Sequence, residues 1–167
     1  NMATTQVCIN SGSVSGDTAG GIIGCSSDCD INNCGNTGTI TGESRLGGIS
    51  GLSYDKIMKY CYNAGQITGT DCSIGALIGE GKTPIMTCFY LKGSAALESG
   101  EIQSGMGTYR PIGAGEDLIG MIPATEAQFA NGEVAFLLNG STAEGSLTWG
   151  QNLDNDQPNQ TIPVLGG

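Results

Sequence analysis

The sequence predicts an all-β fold: a parallel β-helix, or β-solenoid, of about three to four coils with a small C-terminal α/β cap that contains one helix. Three observations predict it. The block Cys-x-Asn-x-Gly-x-(Val/Ile)-(Ser/Thr)-Gly occurs at 8–16, 34–42 and 61–69, and its cysteine returns at Cys88. These cysteines stand 26, 27 and 27 residues apart, a period that marks a solenoid or array. A second glycine-bracketed block comes after each, at 20–24, 47–51 and 75–79. The composition, 29 Gly in 167 residues with much Ser, Thr and Asn, would read as disorder without periodicity. Here the glycines recur in register with Ile, Val and Leu, as turns or close backbone approaches require.

Each period holds three short candidate strands. One runs into the cysteine, one carries Val14, Ile40 or Ile67, and one carries the Gly-Gly-Ile-x-Gly block with Leu46 and Ile49, or Ile74 and Leu77. Such strands lack the alternating arms of hairpins. They suit a coil stacked on copies of itself, about 4.8 Å per rung. Cys8, Cys34, Cys61 and Cys88 then form an inward ladder of thiols. Val14/Ile40/Ile67 and Ile22/Ile49/Leu77 form aliphatic ladders. Asn10, Asn36 and Asn63 fall at a turn, where Asn tolerates the left-handed conformation and stacked amides bond up the column. Gly12, Gly38 and Gly65 supply the neighbouring tight turn.

The repeat region spans 1–94. Residues 95–124, with Pro111 and Pro123, read as a Gly-rich extended connection. Residues 125–167 read as a cap over the open end of the solenoid. Thr125 is its N-cap, with Gln128 closing a capping box. A helix over about 125–139 carries Phe129, Val134, Phe136 and Leu137, is weakened by Gly132 and stops at Asn139-Gly140. A short strand is expected around Trp149.

A net charge of −10 with 6 basic residues excludes nucleic acid as a partner, because phosphate neutralisation needs clustered Lys and Arg. The absence of histidine removes the commonest general base and metal ligand. No catalytic residue, cofactor or metal site is expected. No apolar run is long enough to cross a membrane. Seven cysteines cannot all pair within one chain. Cys25, Cys29 and Cys72 stand outside the repeat, and a Cys25–Cys29 loop disulfide is the candidate pairing, against a default of free thiols. Residues 76–83 fit a permissive phosphate-loop pattern, but a strand comes next where the mechanism needs a helix. Residues 154–159 lack the glycine and the bidentate Glu of a calcium loop. Tyr60 and Tyr62 flank an inward Cys61, so both are expected to face outward as candidate ligand-contacting aromatics. The chain opens at Asn1 and is in repeat register by Val7, so it is expected to be a piece of something longer.

The repeat resembles the GLUG motif of secreted and cell-surface bacterial proteins. Tyr60-Cys61-Tyr62-Asn63-Ala64-Gly65-Gln66-Ile67-Thr68-Gly69, together with 75–79, carries the resemblance most fully, and 7–24 and 33–51 share it. The stretch 88–93 resembles a final repeat of that family, and 127–139 and 149–151 resemble the segment downstream of it. Gly35, where Tyr is usual, and the additional cysteines depart from the pattern. The resemblance implies a non-catalytic extracellular or cell-surface module, adhesin-like, of a gut bacterium. Its partner would be a host or bacterial surface protein or glycan. The alternative it implies is an accessory, substrate-positioning domain of a secreted hydrolase such as an immunoglobulin-cleaving metallopeptidase. The unpaired strand edges of the first coil lead us to expect end-to-end self-association.

Overall fold

In the computed structural model the chain is a four-turn parallel β-solenoid with two short helices. The structure describes residues 3–70, 73–109, 120–141, 148–153 and 161–166. The first rung holds β1 (Ala3–Asn10), β2 (Val14–Ser15), β3 (Thr18–Gly20) and β4 (Ile23–Ser27). The second holds β5 (Cys29–Asn36), β6 (Ile40–Gly42), β7 (Arg45–Gly47) and β8 (Ser50–Tyr54). The third holds β9 (Ile57–Lys59), β10 (Tyr62–Asn63), β11 (Ile67–Gly69), β12 (Ile74–Gly75) and β13 (Ile78–Gly81). The fourth holds β14 (Ile85–Met86), β15 (Cys88–Leu91), β16 (Ala95–Leu97) and β17 (Met106–Tyr109), and β18 (Met121–Ala124) is next. After it come α1 (Glu126–Ala130), α2 (Glu133–Leu138), β19 (Trp149–Gly150) and β20 (Val164–Leu165).

The strands stack in parallel into four walls. Wall A joins β1, β5, β9 with β10, β14 with β15, and β18; wall B joins β2, β6, β11 and β16; wall C joins β3, β7 and β12; wall D joins β4, β8, β13 and β17. The register is that of the repeat: Cys8 faces Cys34, Asn10 faces Asn36, Asn36 faces Asn63, Val14 faces Ile40 and Ile40 faces Ile67.

Four walls replace the three expected. The Gly-Gly-Ile block does not lie in one strand but bends between walls C and D. At the bend the chain folds back on itself: an added Cβ at Gly20 would lie 2.2 Å from the Ile23 carbonyl, and one at Gly47 2.1 Å from the Ser50 carbonyl. The left-handed residues of the repeat are also not the ladder asparagines Asn10, Asn36 and Asn63 but Val7, Asn33, Tyr60 and Thr87, with φ of 55°, 51°, 55° and 49°, each immediately before a ladder cysteine. This residue breaks the two-residue alternation of a strand. Ile31 and Cys34, three apart, can therefore both be buried in the same interior cluster, as are Met58 and Cys61.

The interior holds two apolar columns. One sits between walls A and D and includes Ile31, Met58, Ile49, Leu77, Ile78 and the buried cysteines. The other sits between walls B and C and includes Ile40, Ile67, Leu46, Ile74 and Ala76. The asparagine column crosses between them. An added Cβ would lie 2.5 Å from Cγ of Asn36 at Gly21, and 2.3 Å from Cγ of Asn63 at Gly48. The second glycine of each Gly-Gly pair thus makes room for the amide of the next rung. Ala76 takes this place in the third rung, and the fourth rung has Tyr90 instead of Asn.

The C-terminal half departs from expectation in three ways. Within 95–124 the chain is not only a connection: β16, β17 and β18 continue walls B, D and A. Among the described residues the cap packs on the side of the solenoid: α1, α2 and β19 lie against the outer face of wall A, on Tyr62 and Phe89. The single helix is two, because Gly132 takes φ 84° and starts a second helix. The capping box of Thr125 with Gln128 is present.

Candidate functional site

Wall A is the face on which the aromatics were expected to meet ligand. Tyr62 does point away from the solenoid interior, but it is fully buried. Its ring meets Trp149 edge-on at 5.1 Å and Phe129 at 6.0 Å, and its hydroxyl donates to the Pro163 carbonyl at 2.7 Å. Burial pushes its phenol pKa well above the ordinary value. Tyr60 is half-buried beside the same cluster. The expected aromatic platform is therefore the floor on which the C-terminal unit sits. Gly35 explains the fit: an added Cβ there would lie 2.5 Å from Cε1 of Tyr62, so the missing side chain is the seat of the tyrosine ring. Asn139 ties Trp149 down by donating to its carbonyl at 2.6 Å and accepting from its N–H at 3.1 Å. At the edge of this cover a pocket of about 400 Å³ opens between Ala64, Leu91, Phe129, Ala130 and Ile162, with Glu126 and Thr161 also lining it.

The ladder cysteines are structural in their contacts. Each thiol donates to the carbonyl two residues earlier: Cys34 to Asn32 at 3.2 Å, Cys61 to Lys59 at 3.3 Å and Cys88 to Met86 at 3.5 Å. Cys34 N–H donates to Cys61 Sγ, and Cys61 N–H to Cys88 Sγ, both at 3.4 Å. Hydrogen bonding to the Cys61 side chain, then burial, raises the pKa of Cys34; burial raises that of Cys61. Thiols held protonated are poor nucleophiles. Cys25 and Cys29 are not bonded to each other; both are free. Cys29 instead donates to the Ser27 carbonyl at 3.3 Å, across the left-handed Asp28. Cys72 and 154–159 lie outside the described residues.

The amide column is continuous. Asn10 Nδ2 donates to Asn36 Oδ1 at 2.8 Å, Asn36 Nδ2 to Asn63 Oδ1 at 2.7 Å, and Asn63 Nδ2 to Ser94 Oγ at 3.3 Å. A second polar knot closes the corner after wall D. Buried Asp55 accepts from the Ser26 and Ser53 hydroxyls and from Cys29 N–H, and Thr83 bonds Ser53 and Asp55 N–H. The phosphate-loop look-alike contributes β13 and this Thr83, with Lys82 over the Tyr54 ring at 5.6 Å. No helix comes after it, so no set of amides points at an anion. Among the described residues no three His, Cys, Asp or Glu side chains converge to hold a metal ion, and no helix is long and apolar enough to cross a membrane.

One surface was missed. Along wall B the residues flanking the inward Val14, Ile40 and Ile67 are all exposed: Ser13 and Ser15, Thr39 and Thr41, Gln66 and Thr68. Ser15, Thr41 and Thr68 are in register. They make an uncharged face of hydroxyls and one amide, spaced about 4.8 Å between rungs and about 6.7 Å along each strand. The signal was legible as Ser-x-Ser, Thr-x-Thr and Gln-x-Thr at the repeat period, but the aliphatic residue between them repeats more visibly. Comparison with protein-family models, curated proteins and solved structures returned no match.

Proposed function

We propose that the chain is a non-catalytic, extracellular or cell-surface module of a larger bacterial protein, of the adhesin-like kind that its GLUG-type repeat suggests. It holds a flat wall against a neutral polyhydroxyl partner, a glycan. The observation that carries this reading is wall B. Its exposed Ser, Thr and Gln side chains repeat in register on a rigid frame, offer donors and acceptors without charge, and permit many weak contacts at fixed spacing. A glycan array probed with the soluble chain tests it. Thr41→Lys, at an exposed position, leaves melting unchanged while it removes the bound glycan class. No glycan bound above background, or a class retained by Thr41→Lys, would overturn the reading.

A further inference from the structure

We propose that the N-terminal face of the first rung is an interface that receives a further rung of the same Cys-x-Asn-x-Gly repeat, stacked in parallel as an extension of the array. The inference stands apart from the glycan reading and rests on three observations.

The first lies in the glycines. An added Cβ at Gly38, Gly42 or Gly65 would point at the preceding rung and strike its backbone. It would come to 1.9 Å from the Gly12 carbonyl oxygen, 2.0 Å from that of Gly16 and 2.0 Å from that of Gly38, respectively. These positions are glycine because of the rung before them. The first rung carries glycine at the same two places. Yet an added Cβ at Gly12 would meet nothing nearer than Asn10 Oδ1 at 3.6 Å, and at Gly16 nothing nearer than Ala19 Cβ at 4.0 Å. Neither residue takes a positive φ. Among the described residues nothing excludes a side chain at either place, and glycine costs conformational entropy. A rung set before Gly12 as Gly12 is set before Gly38 would exclude one.

The second is the polar column. Asn36 Oδ1 accepts from Asn10 Nδ2 and from Gly38 N–H, and Asn63 Oδ1 accepts from Asn36 Nδ2 and from Gly65 N–H. Asn10 Oδ1 accepts from Gly12 N–H at 3.1 Å and, among the described residues, has its second acceptor position open. The third is the edge itself. β1, β2, β3 and β4 each pair on one side only, and Val7 and Ile9 are 51% and 41% exposed. Val14 and Ile22 are half-exposed, where their counterparts Ile40 and Ile49 are buried.

The occupant is set by continuity. The same edge chemistry already joins each rung of this molecule to the next. The tail of a second copy does not supply it, because the fourth rung has Tyr90 for the asparagine and Lys92 for the glycine. The fitting partner is a rung of the repeat proper.

The register fixes the test. Ala3 pairs with Cys29, and Asp30 pairs with Ile57, so a copy of 29–55 fused directly before Ala3 continues the array. Melting by circular dichroism is compared for the chain and the extended chain, each with and without Gly12→Ala or Gly16→Ala. Gly38→Ala serves as the control that lowers the midpoint in both. Extension raises the midpoint by roughly 3 °C or more, and Gly12→Ala costs the extended chain a similar amount while leaving the parent within about 1 °C. A Gly12→Ala effect equal in both backgrounds, or an extension that adds neither β signal nor melting temperature, overturns the proposal. Concentration-dependent dimerisation of the parent, abolished by Gly12→Ala, overturns the assigned occupant in favour of a second copy packed head to head.

Discussion

Asn36 makes four hydrogen bonds with one buried amide: to Asn63 at 2.7 Å and the Gly38 carbonyl at 3.0 Å, and from Asn10 at 2.8 Å and Gly38 N–H at 3.2 Å. Asn36→Leu leaves the buried Gly38 N–H and carbonyl without this partner and takes one partner each from Asn10 Nδ2 and Asn63 Oδ1. At about 1–3 kcal/mol for each unsatisfied group, a loss of at least ~3 kcal/mol is expected in urea denaturation. A loss near that of an exposed substitution would show that water reaches the column. The thiols give a residue-scale prediction with a definite sign. Folded Cys34 and Cys61 keep their protons at a pH where an unfolded thiol, with its ordinary value of 9.0, has lost its own. The unfolded state then binds fewer protons than the folded one. Stability is therefore intact below the unfolded value and falls as pH rises above it. Tyr62, raised by burial from 10.0, adds to the fall at higher pH. Urea midpoints should hold between about pH 7.5 and 8.5 and drop by about pH 10.5, with a shallower drop in Cys61→Ala. A flat profile to about pH 10.5 would mean that the column opens to solvent.

At the scale of elements, the seating of the C-terminal unit on wall A depends on a side chain that is absent. Gly35→Val places a Cβ where Tyr62 Cε1 already lies, at 2.5 Å, and the ring must rise into Trp149 and Phe129. An overpacking cost of about 1–3 kcal/mol falls on this contact. Trp149, the chain's single tryptophan and 1% exposed, reports it: its emission should shift to the red before the solenoid melts. An unshifted emission would place the tyrosine ring elsewhere. This contact also marks where the sequence stopped being legible. The ladders could be read because each recurs at a fixed period and burial repeats with it. Gly35 read as a departure from pattern, since its reason is a ring one rung away and a segment some hundred residues on. Outward direction could be assigned to Tyr62 from alternation, but covering could not, because a wall that faces out of a solenoid is equally suited to water or to a lateral cap. The left-handed residue before each cysteine was hidden for a different reason. Val7, Asn33, Tyr60 and Thr87 share no residue type, so the backbone demand leaves no compositional trace. The hydroxyl face of wall B did leave one, in the residues either side of each ladder aliphatic.

For the whole molecule, the question is whether rungs that touch only their neighbours melt one by one or together. Repeat arrays behave as chains of nearest-neighbour interfaces, and two apolar columns run through this one. Ile67 is 1% exposed and packs in the column between walls B and C with Ile40, Leu46, Ile74 and Ala95. Its neighbour Thr68 is on the same strand and faces water. Ile67→Asp buries a charge among the aliphatic side chains of that column, a cost of several kcal/mol against a total stability of roughly 5–15 kcal/mol. Because β11 bonds β6 on one side and β16 on the other, its loss severs the interfaces of the second and fourth rungs at once. The β-sheet circular dichroism signal should therefore collapse as a unit. Thr68→Asp, one residue along and turned outward, should change stability by no more than about 0.5 kcal/mol. Two aspartates side by side in sequence thus separate the faces of one strand. Equal sensitivity of the two would contradict the inward column. A partial loss of signal with Ile67→Asp would show that the outer rungs stand without the third.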